Sequence, residues 1–213
     1  MCFSASASFT TTALLAVTGA ALLHKGIERR YLALALMPFF FGLQQAFEGI
    51  IWLYEGEAPF SIQAFSFFAL CFWPAYISFS MWMCEESIKE KIDIGCIGIG
   101  IGLCAYYFSI LPFVQVEDCQ YTIRYITPES IPLATQYTMG TLYMIPSLLP
   151  LWIASLKGLR YLGLVLFVTA LLAFWVDQVW FISLWCFIAA VISISLFFII
   201  PKKRGFFDWG RKE

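Results

Sequence analysis

The run Met37-Pro38-Phe39-Phe40-Phe41-Gly42-Leu43-Gln44-Gln45-Ala46-Phe47-Glu48-Gly49-Ile50-Ile51-Trp52 decides how the whole chain is read. It belongs to an apolar stretch long enough to cross a bilayer, yet it carries two adjacent amides and a carboxylate. Helical geometry puts residues three and four apart on one face, so Gln44 and Gln45 share a face with Glu48, and Trp52 extends that stripe by a turn. An ionisable side chain in hydrocarbon costs on the order of several kcal/mol unless it faces protein or water. The stripe is therefore a candidate binding surface on a membrane helix.

The rest of the chain agrees. Of 213 residues, 61% are hydrophobic and 19% aromatic, and only 13% are charged, about half the share of a soluble domain. Mean hydropathy is +0.81. This composition excludes disorder and argues strongly against a water-soluble globule. A net charge of -1 offers no field for nucleic acid, and a single histidine removes multi-histidine metal and haem sites.

A crossing needs roughly 20 mostly apolar residues, and seven windows meet that length. They run from Ser4 to Leu23, Tyr31 to Tyr54, Phe60 to Cys84, Ile92 to Leu111, Ala134 to Leu156, Arg160 to Val179 and Ile182 to Ile200. The fold expected is an all-α polytopic membrane protein of seven transmembrane helices. A bundle occupies residues 1–200, interrupted by a polar extracytoplasmic loop over 114–132, and a basic, aromatic tail follows over 201–213.

Lys and Arg resist translocation and collect in short cytoplasmic loops. Twelve of the thirteen fall after the odd-numbered spans, among them Lys25, Arg29, Arg30, Lys89, Lys91, Lys157 and Arg160, with Arg124 alone on the other side. The expected orientation places the N-terminus outside and the C-terminus in the cytoplasm. No basic residue precedes Lys25, so the first apolar run reads as a retained span rather than a cleaved signal. Phe206, Phe207 and Trp209 among the basic residues of the tail suit the inner-leaflet headgroup layer.

With these directions, three polar groups fall at similar depth in the outer half: Glu48, the Asp177-Gln178 pair of span six, and the Cys2 to Ser8 start of span one, where Ser4 and Ser8 share a face. The expectation is one polar pocket facing outward, lined by spans one, two and six and covered by the 114–132 loop. Its candidate ligand-binding residues are Glu48, Gln44, Gln45, Trp52, Asp177, Gln178, Cys2 and Ser4. The cytoplasmic half shows no comparable buried set.

Seven cysteines lack a Cys-x-x-Cys spacing. Only Cys2 and Cys119 fall on the potentially oxidising side, which permits a disulfide tying the loop over the pocket. Gly98 and Gly102 form a Gly-x-x-x-Gly pair that allows close helix approach, within the bundle or between two copies of the chain. No pattern identifies a cofactor, a metal site or a set of catalytic residues.

Met1-Cys2-Phe3-Ser4-Ala5-Ser6-Ala7-Ser8-Phe9 and Gln44-Gln45-Ala46-Phe47-Glu48-Gly49-Ile50-Ile51-Trp52 resemble the motifs of an uncharacterised bacterial family of small multi-pass membrane proteins. Its members begin Met-Cys-Phe-Ser and carry Gln-Gln-x-x-Glu-Gly-x-x-Trp in the second span. The motifs cover the first quarter of the chain. The resemblance implies a bacterial inner membrane and draws attention to Cys2, Gln45 and Glu48, but it implies no reaction.

The leading expectation is an integral membrane protein, partnered by the lipid bilayer, that binds or transports a small polar solute, cation or lipid headgroup. A sensor or partner subunit is the alternative. An intramembrane enzyme using Cys2, or a Glu48 and Asp177 pair, on a lipid-like substrate is a second one. The last span has no lysine for a retinal Schiff base, which removes a rhodopsin.

Overall fold

The structure is a computed structural model; it describes residues 4–85, 88–119, 122–126, 131–176 and 181–203, with 117–119 and 122 as backbone only. Helix α1 spans Ala5–His24 and α2 spans Leu32–Leu53. Helix α3, Pro59–Ser66, passes through a π-helical stretch, Phe67–Phe72, into α4, Trp73–Trp82. Helix α5 is Ile88–Phe108. Strands β1, Gln115–Cys119, and β2, Thr122–Ile126, pair as an antiparallel hairpin, with Val116 opposite Tyr125. Helices α6, Leu133–Ile153, α7, Lys157–Val176, α8, Phe181–Ser193, and the short α9, Leu196–Ile199, complete the chain.

Among the described residues six segments are long and apolar enough to cross a membrane: Ala5–His24, Arg29–Leu53, Pro59–Trp82, Ile88–Phe108, Lys157–Val176 and Phe181–Ile199. Helix α6 has the length but not the hydropathy, since its first half carries Thr135, Gln136, Tyr137, Thr138 and Thr141. Among the described residues the fold is thus all-helical apart from the hairpin, which occupies part of the polar loop expected over 114–132. Several boundaries differ as well, with α6 ending at Ile153 and α7 beginning at Lys157, each three residues before the expected bound. Helix α5 begins at Ile88, four residues before the expected Ile92, because Lys89, Glu90 and Lys91 form a polar first turn. The last span is broken near Ser193 and resumes as α9.

Burial ranks the helices. In α2 and in the α3–α4 segment 61% of the most apolar window is buried, against 28% for α1 and α5 and 22% for α7. Outer helices instead expose Leu14, Val17, Ile101, Leu171 and Leu172, a surface suited to lipid. The polar stripe of α2 therefore sits at the centre of the bundle.

Small residues let the helices approach closely. The Thr12 hydroxyl of α1 donates to the Gly42 carbonyl of α2 at 3.1 Å, and a Cβ at Gly49 would meet the Phe9 ring at 2.9 Å. Gly100 of α5 lies against the α4 backbone, where a Cβ would be 2.7 Å from the nitrogen and Cα of Ala75. Gly98 and Gly102 have nothing within 4 Å of such a Cβ, so the expected Gly-x-x-x-Gly pair packs against no helix of this bundle.

The basic loops meet at one end. Lys25 donates to the carbonyls of Phe197 (2.5 Å) and Ile200 (2.6 Å), and the Lys203 amide donates to the Gly26 carbonyl at 2.8 Å. The Cys84 thiol donates to the Arg30 carbonyl at 3.2 Å. At the opposite end the hairpin folds back over the bundle, burying Ile123 and Tyr125 against Ile51, Ile62, Phe65 and Cys186.

Candidate functional site

The stripe predicted on α2 exists and is enclosed. Gln44 and Gln45 are 0% exposed and Glu48 is 1% exposed. One Glu48 carboxylate oxygen accepts from Gln45 Nε2 at 3.0 Å, and the other accepts from the Ser183 hydroxyl of α8 at 2.6 Å. Neither donor is charged, and among the described residues no Lys, Arg or His forms an ion pair with Glu48. Gln44 Oε1 accepts from Trp73 Nε1 of α4 at 2.7 Å, and the Trp73 ring stacks on Phe41 with centroids 3.6 Å apart. Cys186 of α8 lies beside Gln44 and Glu48.

The hairpin closes this centre from above. The Tyr125 ring stacks on Phe65 at 4.6 Å and 9°, leaving its hydroxyl buried without a partner. Burial, then the neighbouring Glu48 charge, then Cys186 push the Tyr125 phenol well above its ordinary range, so it stays a neutral hydroxyl. Below the stripe, α2, α4, α6, α7, α8 and α9 line a cavity of about 50 Å³, bordered by Met37, Phe41, Trp73, Leu148, Trp185 and Cys186, among others. Two serines also line it. Both are satisfied within their helices, Ser147 donating to the Tyr143 carbonyl and Ser193 to the Ala190 carbonyl, so the cavity is effectively apolar.

Several polar atoms of the centre have no partner. Gln44 Nε2, Gln45 Oε1 and Trp52 Nε1 are buried and unpaired, as are the hydroxyls of Ser8, Ser66 and Tyr125. Buried polar atoms are satisfied in the great majority of cases, and each orphan costs about 1–3 kcal/mol. Three of these lie on the same α2 face as Glu48. An amide N–H and an indole N–H require an acceptor, while Gln45 Oε1 and the carboxylate require donors or positive charge.

Not every predicted residue joins the centre. Ser4 instead caps α1, accepting from the Ala7 amide at 3.3 Å and pairing with the Ser6 hydroxyl at 2.8 Å, in an exposed position. Cys2, Asp177 and Gln178 lie outside the described residues, as does the side chain of Cys119, and with them the expected disulfide. The sequence reading missed Trp73, Tyr125 and Ser183. It also missed a buried acidic pair at the basic end: Glu85 is 7% and Asp93 0% exposed, where no buried polar set was expected.

Membrane-length apolar helices wrapped around an uncompensated carboxylate define the class: a multi-pass helical protein with a polar centre. The chain belongs to a protein family of unknown function, DUF6629, whose model matches residues 1–208, well beyond the quarter that carries the motifs. No curated protein and no solved structure matches it.

Proposed function

We propose that the protein is a seven-span protein of a bacterial inner membrane, N-terminus outside and C-terminus cytoplasmic, that binds a small polar solute at Glu48 from the extracytoplasmic face. Helix α6 supplies the seventh span, its polar first half lying toward the outer headgroups. The observation that carries this reading is the fully buried Glu48, held by two neutral donors and flanked on its own helix face by the unpaired Gln44 Nε2, Gln45 Oε1 and Trp52 Nε1.

That inventory favours a guest bearing a positive or N–H-rich group for Glu48 and Gln45, together with an acceptor for Gln44 and Trp52. The hairpin would be the cover that moves aside. The apolar cavity beneath the stripe offers a polar guest no onward partners, which favours reversible binding from one side over passage through the bundle. Native mass spectrometry of the purified protein tests this. A bound mass retained by the wild type and lost in Glu48→Gln supports the assignment; the same mass on both proteins, or none on either, overturns it.

A further inference from the structure

At the basic end, Glu85 follows α4 and reaches across to the start of α7. Its two carboxylate oxygens accept from the Ser155 amide and the Ser155 hydroxyl, both at 2.6 Å. Lys89, four residues further along the sequence, donates to the same Ser155 hydroxyl at 2.8 Å and stands 3.7 Å from Glu85. Asp93 is one turn beyond Lys89 on α5, within reach of the charges of both Glu85 and Lys89. It is fully buried, and neither of its carboxylate oxygens has a partner.

Among the described residues the charges do not balance. Glu85 and Asp93 contribute two negative charges and Lys89 one positive. Arg30, the other nearby cation, is already paired with Glu28 at 2.8 Å and lies over the Tyr31 ring. One negative charge remains on a buried carboxylate without a hydrogen-bond partner, an arrangement that is strongly unfavourable unless a proton or a metal cation joins it. A single monovalent cation restores neutrality, whereas a divalent one would leave a surplus positive charge in the same poorly solvated place. The available donors are carboxylate oxygens, which suit hard cations.

We propose that Asp93 and Glu85, with Lys89 as the resident counter-charge, form a second site that holds one monovalent metal cation at the end of the bundle opposite Glu48. Glu48 lies four to five turns into α2 from its start at Leu32, roughly 24 Å along the helix from the basic end, so the two sites are independent. An occupied site would join the α4–α5 connection to the α6–α7 connection.

The test uses the full chain in detergent micelles at fixed pH and ionic strength, with choline chloride exchanged in turn for lithium, sodium and potassium chloride. The readouts are the thermal midpoint and, for sodium, the NMR line width of the free ion. At least one metal cation is expected to raise the midpoint saturably, as a ligand of the folded state does. Glu48→Gln keeps the response and Asp93→Asn removes it. Lys89→Gln, which deletes the competing positive charge, tightens binding about tenfold. Midpoints that do not distinguish the metal cations from choline overturn the proposal, as does an unchanged response in Asp93→Asn. Should Asp93→Asn fail to fold, an affinity unaltered or weakened by Lys89→Gln overturns it equally.

Discussion

The hydroxyl of Ser183 on α8 donates to the carboxylate of Glu48 on α2 at 2.6 Å, joining residues 135 positions apart inside the bundle. With Gln45 Nε2 it is one of two hydrogen bonds holding that carboxylate. Ser183→Ala leaves one oxygen without its donor in a site sealed from water. A loss of about 1–3 kcal/mol of stability follows, and Glu48→Gln in the same background recovers part of it. Reversible denaturant unfolding of the single and double variants measures both numbers.

Gly100 and its neighbours on α5 separate packing inside the bundle from contact outside it. Gly100→Ala pushes a methyl into the backbone of Ala75 and lowers stability by about 1–3 kcal/mol. Gly98→Ala and Gly102→Ala meet nothing in the monomer and leave its thermal midpoint unchanged or raise it slightly. If two copies associate through this face, those two substitutions alone weaken chemical cross-linking between tagged copies.

Tyr125 closes the polar centre with its ring, not its hydroxyl. Tyr125→Phe keeps the stack on Phe65 and removes an orphaned polar atom, so stability stays level or rises by up to about 1 kcal/mol. Tyr125→Ala opens the cover. Carboxyl modification of Glu48 by a water-soluble carbodiimide, located by peptide mass mapping, is expected in Tyr125→Ala and not in Tyr125→Phe.

Cys84, just beyond the end of α4, has its thiol pushed up to about 12 by burial first and the charge of Glu85 second. Its thiolate is therefore scarce at pH 8. Maleimide labelling should run about 1000-fold slower than for a free cysteine at pH 7, and in the folded protein should keep rising about tenfold per pH unit up to pH 9, where a free cysteine levels off. Labelling of Cys84 alone, in a variant with the other cysteines replaced by serine or alanine, gives the rate directly.

Orientation can be read with reporters that work on one side only. A fluorescent protein fused after Glu213 is expected to mature and glow in bacterial cells, whereas alkaline phosphatase inserted in the 127–130 segment is expected to be active. The reverse pair of outcomes inverts the bundle and moves Glu48 to the cytoplasmic half.

Hydropathy located the helical segments to within a few residues because crossing length and apolarity are properties of neighbours in the chain. The α2 stripe was recoverable for the same reason, since Gln44, Gln45 and Glu48 are local in sequence. Their partners were not. Ser183 is one of two serines in an apolar helix, a residue type that ordinarily bonds to its own backbone as Ser193 does, and only the packing of α8 on α2 turns Ser183 toward Glu48. Tyr125 belongs to a stretch whose alternation of apolar and polar residues, Ile123-Arg124-Tyr125, signals a strand but is short and bordered by charges. Glu85 and Asp93 escaped notice because one stands in a connection that reads as solvated and the other near the start of a predicted span. Their burial depends on the α6–α7 turn, some 70 residues away from Glu85.

The Lys25 ammonium, clasped by the carbonyls of Phe197 and Ile200, fastens the end of α1 to the last turns of the bundle. A ribosome delivers these segments in order, so α1 settles on α2 early, through Thr12 and Gly42, while the clasp waits for residues 197–200. The basic end is thus closed late. Nascent chains arrested short of residue 197 should keep α1 on α2 but leave the Lys25 ammonium open to amine-reactive labels.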